Sequence, residues 1–245
     1  MARWPSHERY FRTLAGLFLL VFALLALHPS DRSDWALENA LVVPAAIFLV
    51  ATRRRLPFSR ISYTLIFLFL CLHEVGGHYT YAAVPYDRWF EGLTGRTFGS
   101  MVGWERNNFD RVVHFAFGLL LAYPIREVFV RVAEAKGFWG YYLPLDVTMA
   151  FSMIFELVEW AAAEFFGGDL GVAYLGTQGD VWDAHKDMLM ATLGAVVAMA
   201  VTAALNARLQ RDFAREWAES VRVKIERPLG EDEIRRLLAE DRRER

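Results

Sequence analysis

Six apolar runs dominate this sequence: Phe11 to Leu27, Trp35 to Ala51, Ile61 to Tyr79, Phe109 to Val130, Tyr141 to Phe166 and Met188 to Leu205. An α-helix rises about 1.5 Å per residue, so about 20 residues cross the roughly 30 Å hydrocarbon core of a bilayer. Runs of this length leave too little amphipathic surface for a water-soluble helical protein. They predict an all-α, polytopic membrane protein with six transmembrane helices. The first run could serve as a cleaved signal peptide, with Arg3, Arg9 and Arg12 before it, but no small-x-small cleavage site follows near Leu25 and Leu27, so a retained anchor is expected.

Charge supports that reading once it is located. Charged residues make up 23% of the chain and the formal net charge is −2. Residues 206–245 hold 11 of the basic and 10 of the acidic side chains, which leaves a body of roughly 17% charge against about 25% in soluble domains. The expected organisation is therefore a transmembrane domain over 1–205 and a charged helical cytoplasmic tail over 206–245. In the tail, Leu209, Phe213, Trp217 and Val221 recur at four-residue spacing, Pro228 interrupts, and Glu231 to Ala239 reads as a second short helix. A single cysteine, Cys71, excludes a disulfide scaffold, and the slightly acidic balance excludes a nucleic-acid partner.

Basic residues alternate between loops as the positive-inside rule requires. The amino terminus, the loop with Arg53, Arg54, Arg55 and Arg60, and the loop with Arg131 and Lys136 form one side, which places both termini in the cytoplasm. Tryptophan and tyrosine gather near span ends, including Trp35, Trp89, Trp104, Tyr141 and Trp160, where amphipathic rings favour the interface. The partner implied is the lipid bilayer.

Ionisable groups inside a span cost about 2.5 to 3.5 kcal/mol at mid-helix on insertion scales, so they are rare unless they face a polar interior. Here they form four clusters: His73, Glu74 and His78; Asp110 and His114; Glu156 and Glu159; and Asp180, Asp183, His185 and Asp187. Helical rise and alternating direction bring all four to the outer third of the bilayer, so spans three to six are expected to bundle around one polar site. Residues four apart share a helix face, which pairs Glu74 with His78, Asp110 with His114, and Asp183 with Asp187. His73 and His185 point off those faces.

Mixed nitrogen and oxygen donors suit a divalent transition metal such as Zn, Fe or Mn. The expected ligands are His78, His114, Glu74 and Asp187, with Glu159 or Asp183 as general base for a water that the metal activates. His73, Asp110, Glu156 and Asp180 form a second tier, and Arg106, Arg111 and Lys186 could offset part of the negative charge. The stretch HEVGGH is no zincin motif, because its histidines are five rather than four apart. A proton- or ion-coupled transporter and a non-catalytic scaffold remain alternatives to an enzyme acting on a lipid-linked or envelope substrate. Internal repeats that would favour a transporter are not evident. Two outer loops, Tyr79 to Asn108 and residues 174–188, the latter with Thr177, Gln178 and Trp182, are candidate lids.

The blocks HEVGGHYTYAAVPYD, ERNNFDRVVHFAFG, FELVEW and LGTQGDVWDAHKDM, in that order, resemble the YjdF-type family of bacterial inner-membrane proteins, a domain of unknown function. The resemblance spans about residues 10 to 205 and implies a multi-pass protein of the bacterial plasma membrane. Each candidate site residue lies in a matching block. The charged tail lies outside it.

Overall fold

In the computed structural model, which describes residues 6–224 and 230–244, every apolar run forms one helix whose ends fall within a few residues of those of the run. The six are α1 (His7–Ala26), α2 (Arg32–Thr52), α3 (Arg60–Tyr79), α6 (Phe109–Val132), α7 (Trp139–Phe166) and α9 (Asp183–Leu209). Each is long and apolar enough to cross a membrane. Short polar side chains open the first three. Ser6 Oγ accepts from the Arg9 amide, Asp31 from those of Ser33 and Asp34, and Ser59 Oγ from that of Ser62, which satisfies amides the helix leaves orphaned. Arg3 and the Pro228 break lie outside the described residues.

Burial is inverted relative to a soluble protein. The largest fully buried side chains include Glu74, Asn108, Thr148, Asp34 and Asp187, whereas Leu19, Leu24, Ile47, Phe48, Phe151, Leu157 and Val201 are exposed. A lipid-facing surface of this kind with a polar interior is what a bilayer stabilises and what water would not.

The most extensive helix pair is α6 with α9. Small residues allow their backbones to touch: a Cβ on Gly118 would overlap the Ala191 carbonyl, and one on Gly194 would overlap the Phe115 carbonyl. Ala191, Ala195 and Ala198 continue the seam. Helix α3 packs on α6, and α7 packs on both α6 and α9, so the last four spans form the expected bundle. Helices α1 and α2 lean on α3 from outside.

Alternating direction places the start of α1 and the end of α9 on one face, here the N-terminal face, and the starts of α6 and α9 on the far face. At the N-terminal face Glu127 accepts from the Ser59 amide, the Ser62 hydroxyl and Arg131. The far face carries α4 (Tyr86–Thr94), α5 (Phe98–Val102) and α8 (Gly168–Leu175).

The tail departs from its sequence pattern. Helix α9 ends at Leu209, Gln210 is extended, and α10 (Phe213–Ser220) begins a new direction, with α11 (Glu231–Glu244) beyond it. The turn lets Glu216 and Ser220 accept from the Gly137 and Phe138 amides before α7, while Phe213 and Trp217 meet the Tyr141 ring at 6.2 and 5.6 Å. A continuous helix from Leu209 to Val221 could not make those bonds.

Candidate functional site

Helix α6 presents Asp110, His114 and Gly118 on one face, and α9 presents Asp183, Asp187 and Ala191 on one face, at four-residue spacing. The two helices are parallel, and Gly118 seats against Ala191. One turn outward from that contact, His114 and Asp187 share a level; a further turn outward, Asp110 and Asp183 do. Helix α7 runs the opposite way and adds Glu156 and Glu159.

His114 Nε2 lies 3.4 Å from Glu156 Oε1 and 3.5 Å from Asp110 Oδ1, longer than an ordinary hydrogen bond. Two ligands at 2.0 to 2.1 Å on a tetrahedral ion are about 3.4 Å apart, so His114 Nε2 stands at ligand–ligand separation from each of the two carboxylates. Carboxylate oxygens of Asp110, Asp183 and Asp187 lie within 4.8 Å of one another. Glu156 Oε1 and Asp187 Oδ1 are buried and have no hydrogen-bond donor among the described residues. A buried carboxylate without a donor is costly unless a cation or proton satisfies it.

Two arginines hold the outer edge. Arg106 pairs with Asp183 and donates to the Thr177 carbonyl. Arg111 pairs with Asp180 at 2.6 Å and Asp183 at 3.1 Å, and its Nε is 3.9 Å from Asp187. Lys186 adds a 2.6 Å contact to Asp180. The Lys186 ammonium, the Trp182 amide and Arg111 hold the Asp180 carboxyl well below the usual carboxylate range. Gln178 donates to the Asn107 carbonyl and Asn107 to that of Val84, so the two outer loops are tied to each other above the site. Trp182 is instead exposed and meets the His185 ring at 5.3 Å.

The structure divides the expected site residues between two neighbourhoods. The expected ligands His114 and Asp187 come together with Asp110 and Glu156 of the second tier. His78 does not join them: its Nδ1 lies 2.7 Å from the Leu25 carbonyl, near the end of α1, where helix carbonyls lack amide partners. Glu74 is fully buried toward α2, beside Asn39 and Glu38. Asp183 is engaged by two arginines, which leaves Glu159, buried beside Glu156, as the freer carboxylate.

Three contributors were not singled out from sequence. Asp34 and Glu38 of α2 are buried, and Glu38 joins the acids Glu74 and Asp110. Tyr81 follows α3 in a single 3-10 turn and bonds His73 Nδ1. His73 Nε2 faces the Glu38 carbonyl at 3.2 Å, and a carbonyl only accepts, so Nε2 carries the proton, Nδ1 accepts, and Tyr81 donates. Burial, then the charges of Glu38, Asp110, Glu159 and Glu74, push the Tyr81 hydroxyl well above the ordinary phenol range.

A family model described as a predicted membrane protein, DUF2238, matches residues 10–208. The inner membrane protein YjdF of Escherichia coli strain K12 is 36% identical over 196 residues, covering 80% of this chain and 88% of that protein. No solved structure matches.

Proposed function

The chain belongs to the DUF2238 family of membrane proteins, and for this multi-pass, inner-membrane member we propose a divalent transition-metal site between His114, Asp110, Glu156 and Asp187 that serves a hydrolytic enzyme. The observation that carries the reading is the spacing around His114 Nε2, which stands 3.4 Å from a Glu156 oxygen and 3.5 Å from an Asp110 oxygen, with a further Asp187 carboxylate oxygen that has no hydrogen-bond donor among the described residues. One nitrogen with several oxygens fits Zn, Mn or Fe. A metal there supplies Lewis acidity. Glu159 accepts a proton as general base, and Arg106 and Arg111 pair with the outer carboxylates and hold the loops closed over the site.

With both termini in the cytoplasm, as the basic loops support, the site opens to the outer leaflet, which suits a lipid-linked or envelope substrate. Metal analysis of the detergent-purified chain tests this: about one equivalent of transition metal is expected, lost in His114→Ala and in Glu156→Gln. Less than about a tenth of an equivalent after loading with Zn, Mn and Fe in turn would refute it.

A second reading, a proton- or cation-coupled carrier, draws on the acids that continue beyond the metal ligands into Glu38 and Glu74 of α2 and α3. Proteoliposome uptake abolished by Glu38→Gln, with no bound metal, would favour it.

A further inference from the structure

At the N-terminal face, far from the acids, two cavities meet at two arginines. One, of about 280 Å³, lies between the start of α1 and the start of α3, with Phe11 and Tyr63 in its wall. The other, of about 600 Å³, is a shallow trough along α2 over Ala46, Ile47 and Val50. Arg53 and Arg54 line both. The space exists because α1 and α2 each pack on α3 and barely on one another. Tyr10 bonds Thr64 and Phe11 meets Tyr63 at 5.2 Å, which holds α1 against α3 and away from the end of α2.

The charge at this junction is not balanced internally. Glu8, the acid in the first cavity, is held by Arg12 at 2.8 Å and is only 3.9 Å from Arg53. Arg53 also donates to the Val50 carbonyl. Arg54 has no hydrogen bond or ion pair among the described residues. Two guanidinium groups thus project where α2 leaves the apolar zone, and Ala46 lies about 10 Å deeper along the helix. An occupant that satisfies both halves is an amphiphile with an anionic head, because guanidinium forks match phosphate oxygens and the trough takes a hydrocarbon chain.

We propose that Arg53 and Arg54 bind the phosphodiester of one anionic phospholipid, with an acyl chain laid along Ala46, Ile47 and Val50 of α2. Native mass spectrometry of the full chain in detergent tests it, with phosphatidylglycerol and phosphatidylcholine of equal chain length as probes. Phosphatidylglycerol is expected to form a one-to-one adduct at about tenfold lower concentration than phosphatidylcholine. Arg53→Gln with Arg54→Gln removes that preference, and Arg54→Gln alone, which breaks no internal bond, reduces it. Ile47→Trp fills the trough and weakens the adduct with both arginines intact. Equal binding of the two lipids, or an undiminished preference in Arg54→Gln, overturns the proposal. Displacement of the lipid by glycerol phosphate at a similar concentration also overturns it, because the site would then read the anion alone.

Discussion

Nε2 of the buried His114 and the buried Oε1 of Glu156 face each other at 3.4 Å across the α6–α7 contact. That separation suits an ion pair as well as the two ligands of the metal proposed above. On the metal proposal, a bound ion stabilises the fold. Adding a saturating metal should raise the melting temperature of the apo form, and a hundredfold excess over the dissociation constant corresponds to about 2.7 kcal/mol. Glu156→Gln should abolish that shift. Thermal melting in detergent with and without Zn or Mn is the measurement.

Arg106 joins two loops and one helix start through Asp183 and the Thr177 carbonyl. Arg106→Gln leaves Asp183, 4% exposed, with Arg111 as its remaining cation and frees the 174–182 loop. The expected cost is about 2 kcal/mol, together with faster proteolysis in that loop. Unchanged cleavage kinetics would contradict the role assigned to Arg106.

Gly118→Ala places a methyl against the Ala191 carbonyl, where main chain must move to admit it. A loss of about 2 kcal/mol or more is expected from denaturation in mixed micelles. Gly16→Ala on α1, where nothing lies within 4 Å, serves as the matched control and should leave stability unchanged or slightly raised.

Asp180 carries the acid sensitivity of the far face. Its folded carboxyl is depressed, first by Lys186, then by the Trp182 amide, with a smaller contribution from Arg111. A depressed group stabilises above its unfolded value, about 3.9, and loses that contribution as pH falls through the lower folded value. Wild type should therefore lose stability below about pH 4 more steeply than Asp180→Asn, and added salt should narrow the difference. Melting temperatures between neutral pH and strong acid, for both proteins, provide the comparison.

Tyr81→Phe removes the donor to His73 Nδ1 while keeping the ring against Phe109. The buried nitrogen is left unpaired at an expected cost of about 1 kcal/mol. The imidazole nitrogen signals of His73, read by NMR, should shift while those of His114 do not.

The six spans were legible because bilayer thickness imposes a length on each apolar run, and that length needs no tertiary information. The inward stripes of α6 and α9 were legible for a related reason: four-residue spacing places Asp110 with His114 and Asp183 with Asp187 whatever the neighbours are. Partner choice was not. Glu74 and His78 share a face by spacing, yet α1 and the α1–α2 loop cover the end of α3, and the Leu25 carbonyl takes the imidazole. The run Trp35 to Ala51 begins one residue past Asp34, so the four-residue pair of Asp34 and Glu38, which shares a buried face of α2, goes unread when only the apolar run is considered. Tyr81 contributes from a 3-10 turn whose course only the packed helices define.

The seam between α6 and α9 consists of main-chain atoms in contact at Gly118 and Gly194. It therefore works as a ruler: the backbone spacing between the helix turns that carry His114 and Asp110 and those that carry Asp187 and Asp183 is set by peptide groups. Glu156 reaches the same point from α7, which meets that ruler through side chains. The adjustable jaw is α7, and tuning the residues between it and the seam should alter the His114–Glu156 separation while leaving the α6–α9 spacing untouched.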